Sequence, residues 1–192
     1  MTSLTRPTSV LALLVPLVLA LLAAPGTVGA ASAVAPTEVT VDDGVQQQVG
    51  WDLDRVTVTS AVRGGRDGVV RVVTARRPKV GQAHSVWFDL DRDRRPDAYL
   101  VAYPESEWYV ARARSWTRTG RDLGPSGCFD LDGLRRGYRI TVDPHCLARP
   151  RTFRVAALGF RYDLGTGEVE RRDWAPAPRR WSAPVRSFRA AG

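Results

Sequence analysis

Apolar and polar residues alternate in short runs along much of this chain. In the first clear run, Val56, Val58 and Val62 alternate with the polar Thr57 and Thr59. A repeat of two residues is that of a strand with one face buried and the other in solvent. The run therefore predicts a β-strand, and the glycine pair that follows it marks a turn.

Several other runs are rich in β-branched or aromatic residues and are bounded by turn residues. They cover 69–74, 85–90, 97–103, 137–142, 151–162 and 185–188. The apolar phase slips at Ala156-Ala157, which predicts a β-bulge in that long run. Residues 105–116 follow Pro104 and fit either a helix or a strand, and we interpret them as a strand.

Short strands separated by turn signals are typical of an all-β protein. We expect an antiparallel β-sandwich, jelly-roll or immunoglobulin-like, of about 8–10 strands. The segment 174–184 is rich in proline, and we expect it to run extended over the surface before the last strand.

The N-terminal segment has the pattern of a signal peptide. Arg6 precedes an apolar run over 10–24, and small residues then lead to Ala30 and Ala33. The run is shorter than the roughly 20 residues that span a bilayer. We expect a signal peptide over 1–33, cleaved after Ala30 or Ala33, and the alternative is an uncleaved anchor. The mature protein would then be secreted without a membrane span.

The mature chain is expected to hold a short tether over 34–40 and a single β-sandwich domain over 41–192. Its two cysteines, Cys128 and Cys146, would meet in an oxidising compartment, which favours a disulfide. Closing this loop would stabilise the fold by about 3 kcal/mol. A redox pair is the alternative, although such pairs usually have CxxC spacing.

The chain is basic, with a formal net charge of +8, and Lys79 is its only lysine. An excess of arginine favours weak association with anionic polymers. A genome whose codons favour arginine would give the same composition. The charge therefore predicts no specific binding of nucleic acid.

One segment is repeated within the chain. Residues 88–101 align without gaps with residues 129–142, and seven of the fourteen positions are identical. A shorter copy, Trp-Asp-Leu-Asp, covers 51–54. Each long copy predicts an inward aromatic and leucine, outward aspartates and a polar turn into a second strand. The sequence thus predicts one hairpin design used twice.

The first copy carries a candidate calcium loop. Its acidic residues occupy positions 1, 3, 5 and 9 of an EF-hand-like spacing, and a backbone carbonyl stands at position 7. In order, these residues are Asp89, Asp91, Asp93, Asp97 and, for the carbonyl, Arg95. Two departures weaken the match, since Arg94 replaces the expected glycine and Leu100 the expected glutamate. The alternative is an acid-rich turn neutralised by its own arginines.

Aromatic residues suggest a binding surface. Trp87 alternates with the inward Val86 and Phe88, so we expect it to point to the outer face. A second group interleaves aromatic rings with arginines and could stack on sugar rings or bind anionic polymers. This candidate ligand surface is Trp108, Tyr109, Arg112, Arg114 and Trp116. The alternative is that tryptophans fill the core or cover its open ends.

Catalytic patterns are weak. His84 and His145 lack metal-ligand spacing, and 124–128 matches only part of a nucleophile elbow. Acid pairs such as Asp130 and Asp132 are expected by chance among 20 acidic residues. We therefore expect a protein that is not an enzyme. A secreted hydrolase with an unrecognised site is the distant alternative.

Three segments carry a resemblance. They are Val86-Trp-Phe-Asp-Leu-Asp91 with Arg95-Pro-Asp97, then Val142-Asp-Pro-His-Cys146-Leu with Pro150 and Val155, and finally Arg172-Asp-Trp-Ala-Pro176. Together they are similar to a loose group of uncharacterised exported proteins from actinobacteria, over roughly 41–188. The resemblance implies an extracellular, disulfide-stapled β-sandwich broadly like carbohydrate-binding modules. It implies no known activity and no catalytic residues.

The sequence leaves two functional expectations. The first is a secreted, non-enzymatic module that binds glycans or anionic cell-envelope polymers. The second is an extracellular structural or protein-interaction domain without a small ligand, stabilised by calcium if the aspartate loop binds it. No cofactor other than calcium is expected.

Overall fold

Twelve β-strands form the part of the protein that its computed structural model describes, namely residues 37–60, 68–104, 107–124, 127–143 and 150–187. No helix occurs in these ranges. The strands are β1 Glu38–Asp42, β2 Leu53–Thr59, β3 Gly68–Thr74, β4 Gln82–Asp89, β5 Ala98–Ala102, β6 Trp108–Ser115, β7 Arg118–Asp122, β8 Phe129–Leu134, β9 Gly137–Val142, β10 Thr152–Tyr162, β11 Val169–Ala175 and β12 Val185–Arg186.

The strands form two antiparallel sheets that pack together. The smaller sheet has the order β1-β2-β3-β9-β8. The larger has the order β11-β10-β4-β5-β6-β7, and β12 adds to it by pairing with β10. The expected all-β antiparallel sandwich is therefore confirmed.

The core lies between the sheets and is built from alternate residues of their strands. Val56 and Val58 of β2 face Val86 and Phe88 of β4 within one buried cluster. Each such side chain contributes about 1.5–3 kcal/mol by leaving water. The period-two pattern of these strands therefore arises because only one of their faces enters the core.

The predicted bulge at Ala156-Ala157 is wrong. Strand β10 pairs with β4 in unbroken register from Arg154 opposite Asp89 to Arg161 opposite Gln82. The apolar phase slips because β10 is covered on both faces. Ala157 lies in the core, whereas Ala156 is buried on the outer face beside a tryptophan of β4.

The ambiguous segment 105–116 contains strand β6, so the strand interpretation is confirmed for residues 108–115. The expected last strand is short, since β12 comprises only Val185 and Arg186. The predicted tether is shorter than expected, because Glu38–Asp42 already pairs with β2 along its whole length.

The two copies of the repeated segment lie in different sheets. The first copy spans β4 and β5 of the larger sheet, and the second spans β8 and β9 of the smaller one. Their equivalent aromatic residues, Phe88 and Phe129, meet in the core with ring centroids 5.3 Å apart. Each hairpin thus places the phenylalanine of the repeat into the core, one from each sheet.

The described residues all belong to one compact unit, Val34–Gly192. The predicted signal peptide and its cleavage sites lie outside the described residues. Across the described ranges, no helix is long and apolar enough to cross a membrane.

Candidate functional site

A cluster of aromatic rings covers the outer face of the larger sheet. Trp87 projects from β4 on the side opposite Phe88, as its alternation predicts, and its ring stacks on Trp174 of β11 at 5.1 Å and 21°. Tyr99 of β5 lies 5.1 Å from Trp87, and Trp116 lies 5.6 Å from it. Strands β4, β5 and β11 and the β6–β7 turn thus bring four rings together.

A fifth ring comes from the proline-rich C-terminal segment. Trp181 lies 4.7 Å from Trp116, and its indole Nε1–H donates a hydrogen bond to the carbonyl oxygen of Arg94 at 3.3 Å. The guanidinium of Arg154 lies 5.6 Å from the Trp181 ring centroid, a cation–π contact. We call Trp87, Tyr99, Trp116, Trp174 and Trp181 the aromatic face.

A shallow cavity of about 220 Å³ opens on the aromatic face. Its walls combine aromatic rings with hydroxyl groups and one guanidinium, from Trp87, Tyr99, Ser115, Trp116, Thr117 and Arg118. Rings offer a flat apolar surface, and the hydroxyls and guanidinium offer hydrogen bonds at its edge. This combination suits a ligand with an apolar CH face and polar substituents, as a sugar ring has.

Tyr99 supplies the cavity with a hydroxyl group. The Tyr99 hydroxyl shares a hydrogen bond of 3.0 Å with the Ser85 hydroxyl beneath the sheet surface. Burial raises the pKa of Tyr99 above its ordinary value. The tyrosine therefore remains a neutral hydrogen-bonding group at physiological pH.

The five residues of the sequence-predicted ligand surface do not lie together. Trp116 belongs to the aromatic face, whereas Trp108 points to the opposite side of the sheet and packs against the core. Tyr109 is 38% exposed on β6. Arg112 and Arg114 lie against β7, since a Cβ on its Gly120 would be 3.3–3.4 Å from both side chains.

Most of the aromatic face therefore escaped the sequence-based prediction. Its members come from five separate stretches of chain, and only the strand pairing aligns them. The one available signal was the outward position of Trp87 in the alternation of β4.

In the aspartate loop between β4 and β5, backbone N–H groups donate hydrogen bonds to side-chain carboxylates. Asp89 is fully buried and accepts the backbone N–H of Arg92 at 2.6 Å and of Arg94 at 3.2 Å. The Arg154 guanidinium donates to the same carboxylate through Nε at 2.8 Å and through Nη2. Arg154 therefore supplies the positive charge that the buried Asp89 needs.

The other aspartates of this loop also accept backbone N–H groups. Asp97 accepts from Leu90 at 2.6 Å, and Asp93 accepts from Arg95 at 2.6 Å. Burial raises the pKa of Asp97. Each bond is of the type that stabilises tight turns.

Three of the predicted calcium ligands come close enough to share one ion. Asp89, Asp91 and Asp97 each place one carboxylate oxygen within 4.8 Å of the others, whereas Asp93 is not part of this group. Arg94, at the position where an EF-hand has glycine, adopts a positive φ of 72°. The loop thus makes its sharp turn without glycine, and calcium binding stays a prediction.

A second carboxylate cluster was not predicted. Asp52 and Asp173 are buried, and Asp52 accepts the backbone N–H groups of three successive glutamines at 2.7–3.1 Å. Asp173 accepts the N–H of Leu53 at 2.6 Å and forms a side-chain hydrogen bond with Asp43. Burial and the adjacent Asp173 raise the pKa of Asp43 to about 6. When Asp43 is protonated, this hydrogen bond links the β1–β2 loop to β11.

Among the described residues, the other candidate catalytic side chains do not lie together in one site. His84 is buried in the core beside Tyr138, and burial lowers its pKa to about 3. Asp130 and Asp132 are exposed on β8. His145 and the centre of the segment 124–128 lie outside the described residues.

Cys128 is buried in the core cluster. Its expected partner, Cys146, lies outside the described residues, so the disulfide stays a prediction.

No protein-family model matches this chain, and no curated protein is significantly similar to it.

Proposed function

We propose that this protein is an exported, non-enzymatic module that binds glycans through the aromatic face. The observation that carries the proposal is the cavity between Trp87, Tyr99 and Trp116. Outer sheet faces usually carry polar side chains, and large apolar groups there mark binding sites. Here the rings are accompanied by hydroxyls at the cavity edge, which is the pairing that sugar recognition uses.

Charge favours anionic glycans over neutral ones. Arg118 lines the cavity, and the chain as a whole carries a net charge of +8. Guanidinium groups form paired hydrogen bonds with carboxylate and phosphate groups, which cell-envelope polymers contain. Ring stacking would contribute binding energy that high salt does not weaken, and charge would contribute binding energy that high salt screens.

A pull-down of the mature protein on insoluble glycans and isolated cell walls tests the proposal at 0.05 and about 1 M NaCl, where the screening length falls to roughly 3 Å. Binding that persists at high salt is the expected result. Binding lost at high salt would reflect net charge alone, and no binding at low salt would overturn the proposal.

The second candidate is a structural or protein-interaction domain stabilised by calcium. It is favoured by the approach of Asp89, Asp91 and Asp97 to one another. This candidate requires a higher melting temperature in millimolar calcium than in EDTA, because an ion that binds only the folded state stabilises it. Equal melting temperatures would remove it.

Secretion and the disulfide are part of the same proposal. Intact-mass measurement of the exported protein should give an N-terminus at Ala31 or Val34 and a mass 2 Da below that of the reduced chain, because forming one disulfide removes two hydrogen atoms. A full-length N-terminus would favour the uncleaved anchor, and an unchanged mass after reduction would exclude the disulfide.

A further inference from the structure

A larger cavity, of about 360 Å³, is lined by segments of both sheets and shares no residue with the aromatic face. It opens between the turn after β3, the end of β5 and the β8–β9 hairpin. Its lining includes Arg77, Pro78, Pro104, Leu134, Arg135 and Tyr138. This volume falls in the range of small-molecule sites, which is roughly 300–1,000 Å³.

Two exposed arginines line this cavity. Arg77 comes from the turn after β3 and Arg135 from the β8–β9 turn. Within the described part of the chain, neither forms an ion pair with a carboxylate. Two such guanidiniums at one opening create a positive potential that an anionic group would neutralise.

The neighbouring Arg136 holds the hairpin in place. Its guanidinium donates to the carbonyl oxygen of Ala75 at 3.3 Å and lies 3.7 Å from the Asp54 carboxylate. These contacts tie the β8–β9 turn to the turn after β3. The two turns that carry Arg77 and Arg135 are therefore held next to each other by the fold.

The cavity wall also contains a buried polar group without a partner. Tyr138 is 5% exposed, and its hydroxyl oxygen has no hydrogen-bond partner. A buried hydroxyl left unpaired costs about 1–3 kcal/mol. Burial raises the pKa of Tyr138 to about 12, so this group is a neutral hydroxyl at physiological pH.

We propose that this cavity binds a small sugar acid or sugar phosphate, with Arg77 and Arg135 on its anionic group and the Tyr138 hydroxyl on a polar substituent. Both guanidinium-bearing residues and Tyr138 line one opening, and the two prolines add apolar wall. The inference is independent of glycan binding by the aromatic face.

Three soluble probes test the site on the mature protein: glucose, glucuronic acid and glucose 6-phosphate. Binding is followed by calorimetry or by amide chemical shifts in 0.1 M NaCl. We expect binding of at least one anionic probe and at least tenfold weaker binding of glucose. A carboxylate and a phosphate are distinguished by which of the two anionic probes binds more tightly.

Variants separate a binding role from a structural one. Arg135→Ala and Arg77→Ala should each weaken binding of the anionic probe at least fivefold, and Arg171→Ala, an exposed arginine of β11, should leave it unchanged. Tyr138→Phe should weaken binding while the melting temperature stays the same or rises, because the variant removes an unpaired buried hydroxyl.

Saturable binding of an anionic probe that both cavity arginine variants weaken would support the site. Absence of binding at 10 mM of either anionic probe would overturn it. Equal effects of Arg135→Ala and Arg171→Ala would also overturn it, since binding would then follow net charge.

Discussion

The ion pair between Asp89 and Arg154 stabilises the loop between β4 and β5. Asp89 is fully buried, and the side chain of Arg154 is 15% exposed. Removing one partner of a buried pair leaves the other charge without compensation, which costs about 3–5 kcal/mol. The pair therefore has more influence on stability than a surface salt bridge.

We expect Arg154→Met to lower the free energy of unfolding by about 3 kcal/mol in urea titrations. The matched control is Arg161→Ala, which breaks an ion pair with Glu170 whose side chains are 59% and 41% exposed. That control should cost less than about 1 kcal/mol. Equal losses in the two variants would contradict the assigned role of Arg154.

Backbone conformation in the same loop gives a second residue-level prediction. Arg94 has a φ of 72°, a region that costs a residue with a Cβ about 1 kcal/mol and glycine almost nothing. Arg94→Gly should therefore raise the free energy of unfolding by about 0.5–1 kcal/mol. Arg95→Gly is the control and should lower it by a similar amount. A loss of stability in Arg94→Gly would argue against the described turn.

At the scale of elements, the sequence predicted strands that bury at least one face. Strands β2, β3 and β9 alternate between buried and more exposed positions, whereas β4 is buried at all but its first position. Strand β2 was identified from alternation, and the other three from runs of β-branched and aromatic residues. Strands β1, β7 and β11 were missed, and all three are edge strands; every position of β1 and β7 is at least partly exposed. Their hydrogen bonds to a neighbour define them, and sequence patterns do not record such bonds.

The candidate site was less predictable than the fold for a related reason. Trp116 and Trp181 are 65 positions apart in the chain, yet their rings lie 4.7 Å apart. Strand order and register create such neighbours. The sequence indicated which residue types could bind a glycan, but it grouped Trp108 with Trp116 although they face opposite sides of the sheet.

A close approach between elements gives a third prediction. A Cβ on Gly159 of β10 would lie within 2 Å of the carbonyl oxygen of Trp51, two residues before β2. Gly159→Ala should therefore lower the melting temperature strongly, with a stability loss of about 3 kcal/mol. Gly133→Ala on β8 meets no atom within 4 Å and should change stability by less than about 0.5 kcal/mol. Similar melting temperatures for both variants would contradict the packing of β10 against β2.

At the scale of the whole molecule, the buried His84 and the partly buried Asp43 oppose each other in the response to acid. Burial lowers the pKa of His84 to about 3, so the unfolded chain takes up this proton first as the pH falls below 6.5. His84 thus reduces stability by up to about 1.4 kcal/mol per pH unit between pH 6.5 and 3.

Asp43 acts in the opposite direction. Its pKa is raised from 3.8 to about 6 by burial and by Asp173, so the folded state keeps this proton as the unfolded state releases it. Its contribution is fully present below pH 3.8 and is lost as the pH rises through 6. Between pH 4 and 6 the contribution of Asp43 therefore offsets that of His84.

Replacing Asp43 by asparagine removes one side of this balance. We expect Asp43→Asn to lose stability more steeply than the wild type as the pH falls from 6.5 to 4, in urea titrations at four pH values. Asp130→Asn, which removes an exposed carboxylate on β8, is the control. An Asp43→Asn slope equal to that of the wild type would show that the proton shared with Asp173 does not contribute to folding.

The central claim is that the aromatic face binds glycans by stacking. The most direct test compares binding isotherms of wild type, Trp116→Leu and Tyr109→Ala on the glycan retained in the pull-down, in about 1 M NaCl, where charge is screened. Leucine keeps an apolar side chain and removes the ring face. Tyr109 is an exposed ring of the same sheet that does not line the cavity. The account predicts a loss of about tenfold, or 1.4 kcal/mol, for Trp116→Leu and no change for Tyr109→Ala. Wild-type affinity in Trp116→Leu would contradict it.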